Sequence, residues 1–144
     1  LLHASRAAAT QRVVEALAQA LFAEFLNMAE RAEGADGGDA QVRRALRHME
    51  DHLGEPECLA GAQREAGCSV NALIYKFRGA LGTTPARHLW RMRAEKGLEL
   101  VVDTGLSVAE IAAQCGFKNP FHFSRAVKRL QGLPPREIRK HAWS

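Results

Sequence analysis

A chain of 144 residues with 47% hydrophobic content can bury one ordinary core, and it is too polar along its length to read as a membrane span. The net charge of +4 hides an asymmetry: residues 1–39 carry three basic and six acidic side chains, net −3, and residues 40–144 carry seventeen basic and ten acidic, net +7. A compact basic segment attracts polyanions, nucleic acid above all, because neutralised phosphates release counterions; a merely basic surface is the plain alternative. Ala, Leu, Arg and Glu dominate and aromatics are few, so local preference favours helix almost everywhere and the expected fold class is all-α. Cys58, Cys68 and Cys115 lack any CxxC spacing and read as small reduced core residues, which fits a soluble cytoplasmic protein without a metal or other cofactor. The chain starts on Leu1 with no basic stretch ahead of an apolar one, so it reads as a piece of a longer protein rather than a secretory precursor.

Residues 6 to about 32 place Val13, Val14, Leu17, Leu21, Phe25 and Met28 mostly three or four apart, which predicts one long amphipathic helix. Its stripe needs a partner: its own copy, the main domain, or a domain upstream. The glycines and acids of 34–39 predict a flexible linker. Asp39 then caps a helix over 40–53, with Val42, Ala45, Leu46, Met49 and Leu53 on one face and Arg43, Arg44 and Arg47 on the other. A helix over about 58–66 stops at Gly67, and Ser69 caps another that runs through Leu73 and Phe77 to Gly82. Thr84 and Pro85 start a long helix to about Asp103, marked by Trp90, Ala94, Gly97 and Val101; its Arg87, Arg91 and Arg93 read as a solvated side, with phosphate contact as the alternative. Its rise of roughly 28 Å is close to one turn of B-DNA.

Ser107 and Glu110 form a capping box for the helix that Gly116 ends. Asn119 and Pro120 open the next, lined inside by Phe123, Val127 and Leu130, and Pro134 and Pro135 start a short last helix to about His141. The order short helix, glycine, capped helix therefore occurs twice. About seven helices are expected over 40–144, with one more before them.

From Ser107 through Ala112, Cys115 to Phe117, His122 to Arg125, and on to Lys128, Gly132 and Pro135 to Arg139, the sequence resembles the AraC/XylS family. The likeness runs back through Leu100, Val101 and Arg93 to Pro85, Gly82, Phe77, Leu73 and Ser69, and covers residues 40–142. It implies a C-terminal DNA-binding domain with a first helix-turn-helix over 40–83, a connector helix over 84–104 and a second helix-turn-helix over 105–144. Residues 1–33 would be the closing helix of a sensor or dimerisation domain. The second unit would meet DNA through Asn119, Pro120, Phe121, His122, Ser124, Arg125 and Lys128. Arg125 is the strongest candidate for a base contact, since a guanidinium can bond bidentately to guanine, with a phosphate or intramolecular contact as the plain alternative; His122 and Lys128 are better assigned to phosphates. In the first unit the corresponding candidates are Asn71, Ile74, Tyr75 and Arg78.

The implied role is transcription activation or repression in the bacterial cytoplasm, at the nucleoid. Double-stranded DNA and RNA polymerase would be partners, a homodimer would form through the N-terminal helix or the missing domain, and any small-molecule effector would bind that missing domain. Two departures from the family pattern stand out: Pro120 and Phe121 replace polar residues, and Gln63, Lys76, Ile74 and Tyr75 alter the first unit. They motivate an alternative, a helical protein-interaction co-regulator with weak or no specific DNA binding. An enzyme has no motif behind it: no phosphate-binding glycine loop and no nucleophile with its base. His48 and His52 share a helix face at a spacing zinc can use, but no third ligand accompanies them, so a solvated surface is the better reading.

Overall fold

The computed structural model describes residues 14, 16–21 and 37–144, and the chain divides into two units, Leu1–Gly38 and Asp39–Ser144. In the first unit, residues 14 and 16–21 are helical, with Val14, Leu17 and Leu21 exposed. The remainder of the expected 6–32 helix, and positions 34–36 of the expected linker, fall outside the described residues.

Helix α1 spans Gly37–Asp51. It starts earlier than the expected residue 40 and stops short of 53, so Asp39 lies inside its first turn instead of capping it. The first turn of a helix has no intrahelical partners for its N–H groups, which lowers the demand on propensity and lets Gly37 and Gly38 take part. Val42, Ala45 and Met49 are buried at helical spacing, and Leu53 packs against the same core from the turn that follows. Gln41 is buried as well and accepts a hydrogen bond from Lys76 Nζ.

Helices α2 (Cys58–Ala66) and α3 (Val70–Leu81) have the expected bounds. Gly67 makes the turn between them at φ 71°, a left-handed conformation that suits glycine, and Ser69 Oγ accepts from Ala72 N at 3.2 Å. Helix α4 (Pro85–Asp103) follows, its start fixed by Thr84 Oγ1 accepting from Arg87 N at 3.3 Å. In α5 (Val108–Gln114) the capping box forms in full: Glu110 N donates to Ser107 Oγ at 3.1 Å, and Ser107 N donates to Glu110 Oε2 at 2.8 Å. Gly116 turns at φ 80° into α6 (Pro120–Gln131), where Asn119 Oδ1 accepts from His122 N at 3.0 Å. Helix α7 (Pro135–Ala142) ends the domain, and no strand occurs among the described residues.

Two cores result, joined by α4. The first gathers Val42, Ala45, Met49, Cys58, Leu73 and Phe77 around Leu89 of α4. The second packs Ile111, Ala112, Cys115, Phe117, Phe123 and Val127 on Ala94 and Val101 of the same helix. Gly97 admits the Phe123 ring to the surface of α4, where a Cβ would overlap it. At its C-terminus α4 leaves carbonyls without intrahelical donors, and the chain supplies them. Thr104 N donates to Leu100 O at 3.1 Å, Arg139 Nε to Val101 O at 3.0 Å, and Trp143 Nε1 to Val102 O at 2.8 Å. One lobe is thus α1–α3, the other α5–α7, and α4 belongs to both. Among the described residues no helix is long and apolar enough to cross a membrane.

Candidate nucleic-acid interface

Helices α3 and α6 repeat one another at an offset of 50 residues. Their caps Ser69 and Asn119, their inner residues Leu73 and Phe123 or Phe77 and Val127, and their closing Gly82 and Gly132 coincide in that register. Each inner pair is buried. The outer positions pair likewise: Asn71 with Phe121, Ile74 with Ser124, Tyr75 with Arg125, Arg78 with Lys128. At each helix the cap and the apolar anchors hold the backbone, which leaves this outer face turned away from the core.

On α6, Phe121, His122, Arg125 and Lys128 are exposed, while Pro120 and Ser124 are half-buried. Phe121 is 76% exposed, unusual for an aromatic residue with no packing role in its own domain. Asn119 is half-buried and its Oδ1 is engaged by His122 N, so its first duty is to cap. Arg125 and Lys128 make no ion pair among the described residues, which leaves both cations available to an anionic partner. Lys128 stands in the last turn beside Arg129. On α3, Asn71, Tyr75 and Arg78 are exposed and Ile74 is half-buried. Here Tyr75, 39% exposed, stands in place of the Arg125 fork, so the two outer faces differ in chemistry as well as position.

One cationic participant escaped the sequence reading. Arg129 lies over the Trp90 ring, 5.9 Å from its centroid, and Trp90 in turn meets Phe117 edge-on at 6.4 Å. Trp90 is half-buried and floors a cleft walled by Arg87, Arg91, Arg129 and Leu130. Its neighbouring hollow brings Trp90 and Arg129 together with His122 and Arg125. Arg91 is partly neutralised by Glu95 at 2.8 Å. The signal for Arg129 was present in the sequence as the i+4 partner of Arg125.

Other arginines serve the scaffold. Arg44 Nε and Nη2 donate to Glu65 O and Ala66 O at 3.1 and 3.0 Å, closing the C-terminal end of α2. Arg93 reaches the carbonyls of Leu53 and Glu55 at 2.7 and 2.8 Å. Both had read as solvated helix charge. Lys76 is half-buried against Gln41, and burial pulls its ammonium below the ordinary lysine value.

Burial pushes the thiols of Cys58, Cys68 and Cys115 up, so they stay protonated near neutrality. His88 lies edge-on to Phe77 at 5.9 Å, and burial lowers its basicity. His48 and His52 stack at 4.3 Å, and the hydrogen bond from His52 Nδ1 to Glu55 Oε1 at 2.9 Å raises the His52 value. Among the described residues no three His, Cys, Asp or Glu side chains group as metal ligands.

Comparison with known proteins gives a consistent picture. A family model described as a helix-turn-helix domain matches residues 63–141. The HTH-type transcriptional activator RhaS of Salmonella paratyphi B is 33% identical over 123 residues, covering 83% of this chain and 44% of that protein. The chain thus spans less than half the length of the curated relatives it matches. A transcriptional regulator with an AraC-type DNA-binding domain from Chromobacterium violaceum superposes with a TM-score of 0.67 at 27% identity, over 74% of this chain and 96% of that one. The DNA-binding domain of the global transcriptional factor AdpA, solved with a target DNA, superposes at 0.65 over 69% of this chain and 90% of that one; at 24% identity this likeness is one of fold.

Proposed function

The chain belongs to the AraC/XylS family of helix-turn-helix proteins, and from that premise we propose that residues 40–144 bind double-stranded DNA sequence-specifically to regulate transcription. The first helix-turn-helix is assigned to 40–83, the connector to 84–104 and the second helix-turn-helix to 105–144. One observation carries the reading: two capped helices in the same register, each with its apolar side buried and its outer side bare, stand on one shared helix. A basic face on such helices suits major-groove insertion, with phosphates held around them.

Within that reading Arg125 takes a guanine edge, Phe121 meets a thymine methyl, and Asn119, Pro120 and Ser124 complete the contact face of α6. His122, Lys128 and Arg129 hold phosphates. Asn71, Ile74, Tyr75 and Arg78 form the face of α3, whose lone cation gives it weaker direct readout. Residues 1–33 are assigned to the closing helix of an upstream sensor or dimerisation domain, through which a homodimer forms and an effector acts. Contact with RNA polymerase makes the protein an activator, working in the cytoplasm at the nucleoid, and it performs no catalysis of its own.

Selection of bound duplexes from a random pool tests this directly. Enrichment of two short motifs about 10 base pairs apart supports it. Recovery of random sequence, with retention on genomic DNA insensitive to salt, would leave a helical protein-interaction module in its place.

A further inference from the structure

The two lobes meet at a second place besides their common helix, and a single guanidinium lies at its centre. Arg93 projects from the middle of α4. Its Nε donates to Leu53 O at 2.7 Å and its Nη2 to Glu55 O at 2.8 Å, both in the segment between α1 and α2 of the first lobe. The same group lies against Gly116, the turn between α5 and α6 of the second lobe, where a Cβ would stand 2.9 Å from Arg93 Cζ and Nε. Beside it, Gly54 presses on the backbone carbonyl of Gln114, the last residue of α5, so closely that a Cβ at Gly54 would overlap that oxygen. Two backbone segments, 53–55 and 114–116, therefore close over Arg93, whereas the cleft floored by Trp90 leaves the lobes open elsewhere around α4.

We propose that Arg93, clasped by Leu53 and Glu55 and roofed by Gly116, is a positioning residue that fixes the angle between the two lobes and hence the spacing of DNA subsites the domain accepts. The inference rests on the DNA-binding reading for its functional half only. A planar guanidinium held by two carbonyl acceptors resists rotation in a way a single bond does not. Once one lobe is seated on a duplex, the other binds as an intramolecular event whose success depends on whether the linkage spans the sites in the right orientation. Moving a subsite by one base pair shifts it by about 3.4 Å and turns it by roughly 35° about the duplex axis. A stiff junction rejects that displacement, and a slack one follows it.

The structural half is tested without DNA. Spin labels on Ala80→Cys and Gln131→Cys, both exposed, in a Cys68→Ser background, report the distance between the ends of α3 and α6 by double electron–electron resonance. The parent should give one narrow distribution, and Arg93→Ala and Gly54→Ala should each broaden or displace it. Parent-like distributions in both variants overturn the proposal. If Arg93→Ala no longer melts cooperatively, Gly54→Ala, which keeps the arginine and only crowds Gln114, decides alone. On the selected duplex and on versions one base pair longer or shorter between subsites, the parent should prefer the native spacing and the variants should lose that preference. A variant that retains it overturns the functional half, a result that mere loss of stability does not mimic. If no duplex is selected at all, the DNA reading has failed and the label distances still judge the junction.

Discussion

Gly97 of α4 lies directly under the ring of Phe123, so the second lobe rests on its helix through a contact that no side chain larger than hydrogen permits. Gly97→Ala must push a fully buried aromatic ring off its seat. Overpacking of this kind costs about 1–3 kcal/mol, more than the helix propensity of alanine returns. The variant should melt several degrees lower than the parent in a calorimetric scan; an unchanged or raised Tm would show that the ring can move aside at no cost.

The capping box at Ser107 predicts an acid limb in the stability profile. Glu110 accepts from the Ser107 backbone N–H and is further engaged by the Ser107 side chain, which together lower its carboxyl below the usual glutamate value. A carboxylate whose folded pKa is depressed stabilises the fold above its unfolded value and loses that contribution as pH falls through the folded one. Stability of the parent should therefore drop faster than that of Glu110→Gln between about pH 5 and pH 3. Ser107→Ala should lower stability at neutral pH by about 1 kcal/mol. Identical urea midpoints for Glu110→Gln and parent across that range would remove the carboxylate from the account.

Arg125→Ala tests base reading on α6. It should weaken binding to the selected duplex by about 1–3 kcal/mol and relax the preference at one base position, with little effect on scrambled DNA. Equal losses on selected and scrambled duplexes would reassign Arg125 to a phosphate.

Lys128→Ala and Arg129→Ala should instead weaken binding on every sequence. Each should reduce the slope of log affinity against log salt by about 1, the signature of one lost phosphate contact. The Arg129 variant also exposes the Trp90 ring, so a shift in tryptophan emission should accompany it. A salt slope equal to the parent's in either variant would exclude that residue from the phosphate set.

Capping chemistry made most of the fold legible. Ser69, Thr84, Ser107 and Asn119 each accept the backbone N–H three residues on, and such a bond is written in a few neighbouring letters. The start of α1 was misplaced because three consecutive residues, Gly37 to Asp39, look like linker by composition, yet a first turn asks little of its residues. Arg44 and Arg93 were misread for a different reason. Their carbonyl partners lie 21 to 40 positions away in the chain, and no local pattern separates such an arginine from one in solvent. At the candidate interface the contact face of α6 came from the family resemblance, and within that set Phe121, His122, Arg125 and Lys128 are exposed. The seat of Arg129 over Trp90 depends on how α6 lies against α4, which only the packed lobe defines.

The Lys76 and Gln41 pair limits what can be transplanted between the halves of this domain. Lys76 corresponds by register to Ala126, a fully buried methyl in the other lobe. Grafting the α6 sequence into α3 to alter base preference would set a methyl group beside the Gln41 amide and delete the ammonium that bonds to it. A designer recombining the two units as interchangeable cassettes would have to redesign Gln41 along with the contact face, or move the face alone and leave residue 76 as lysine.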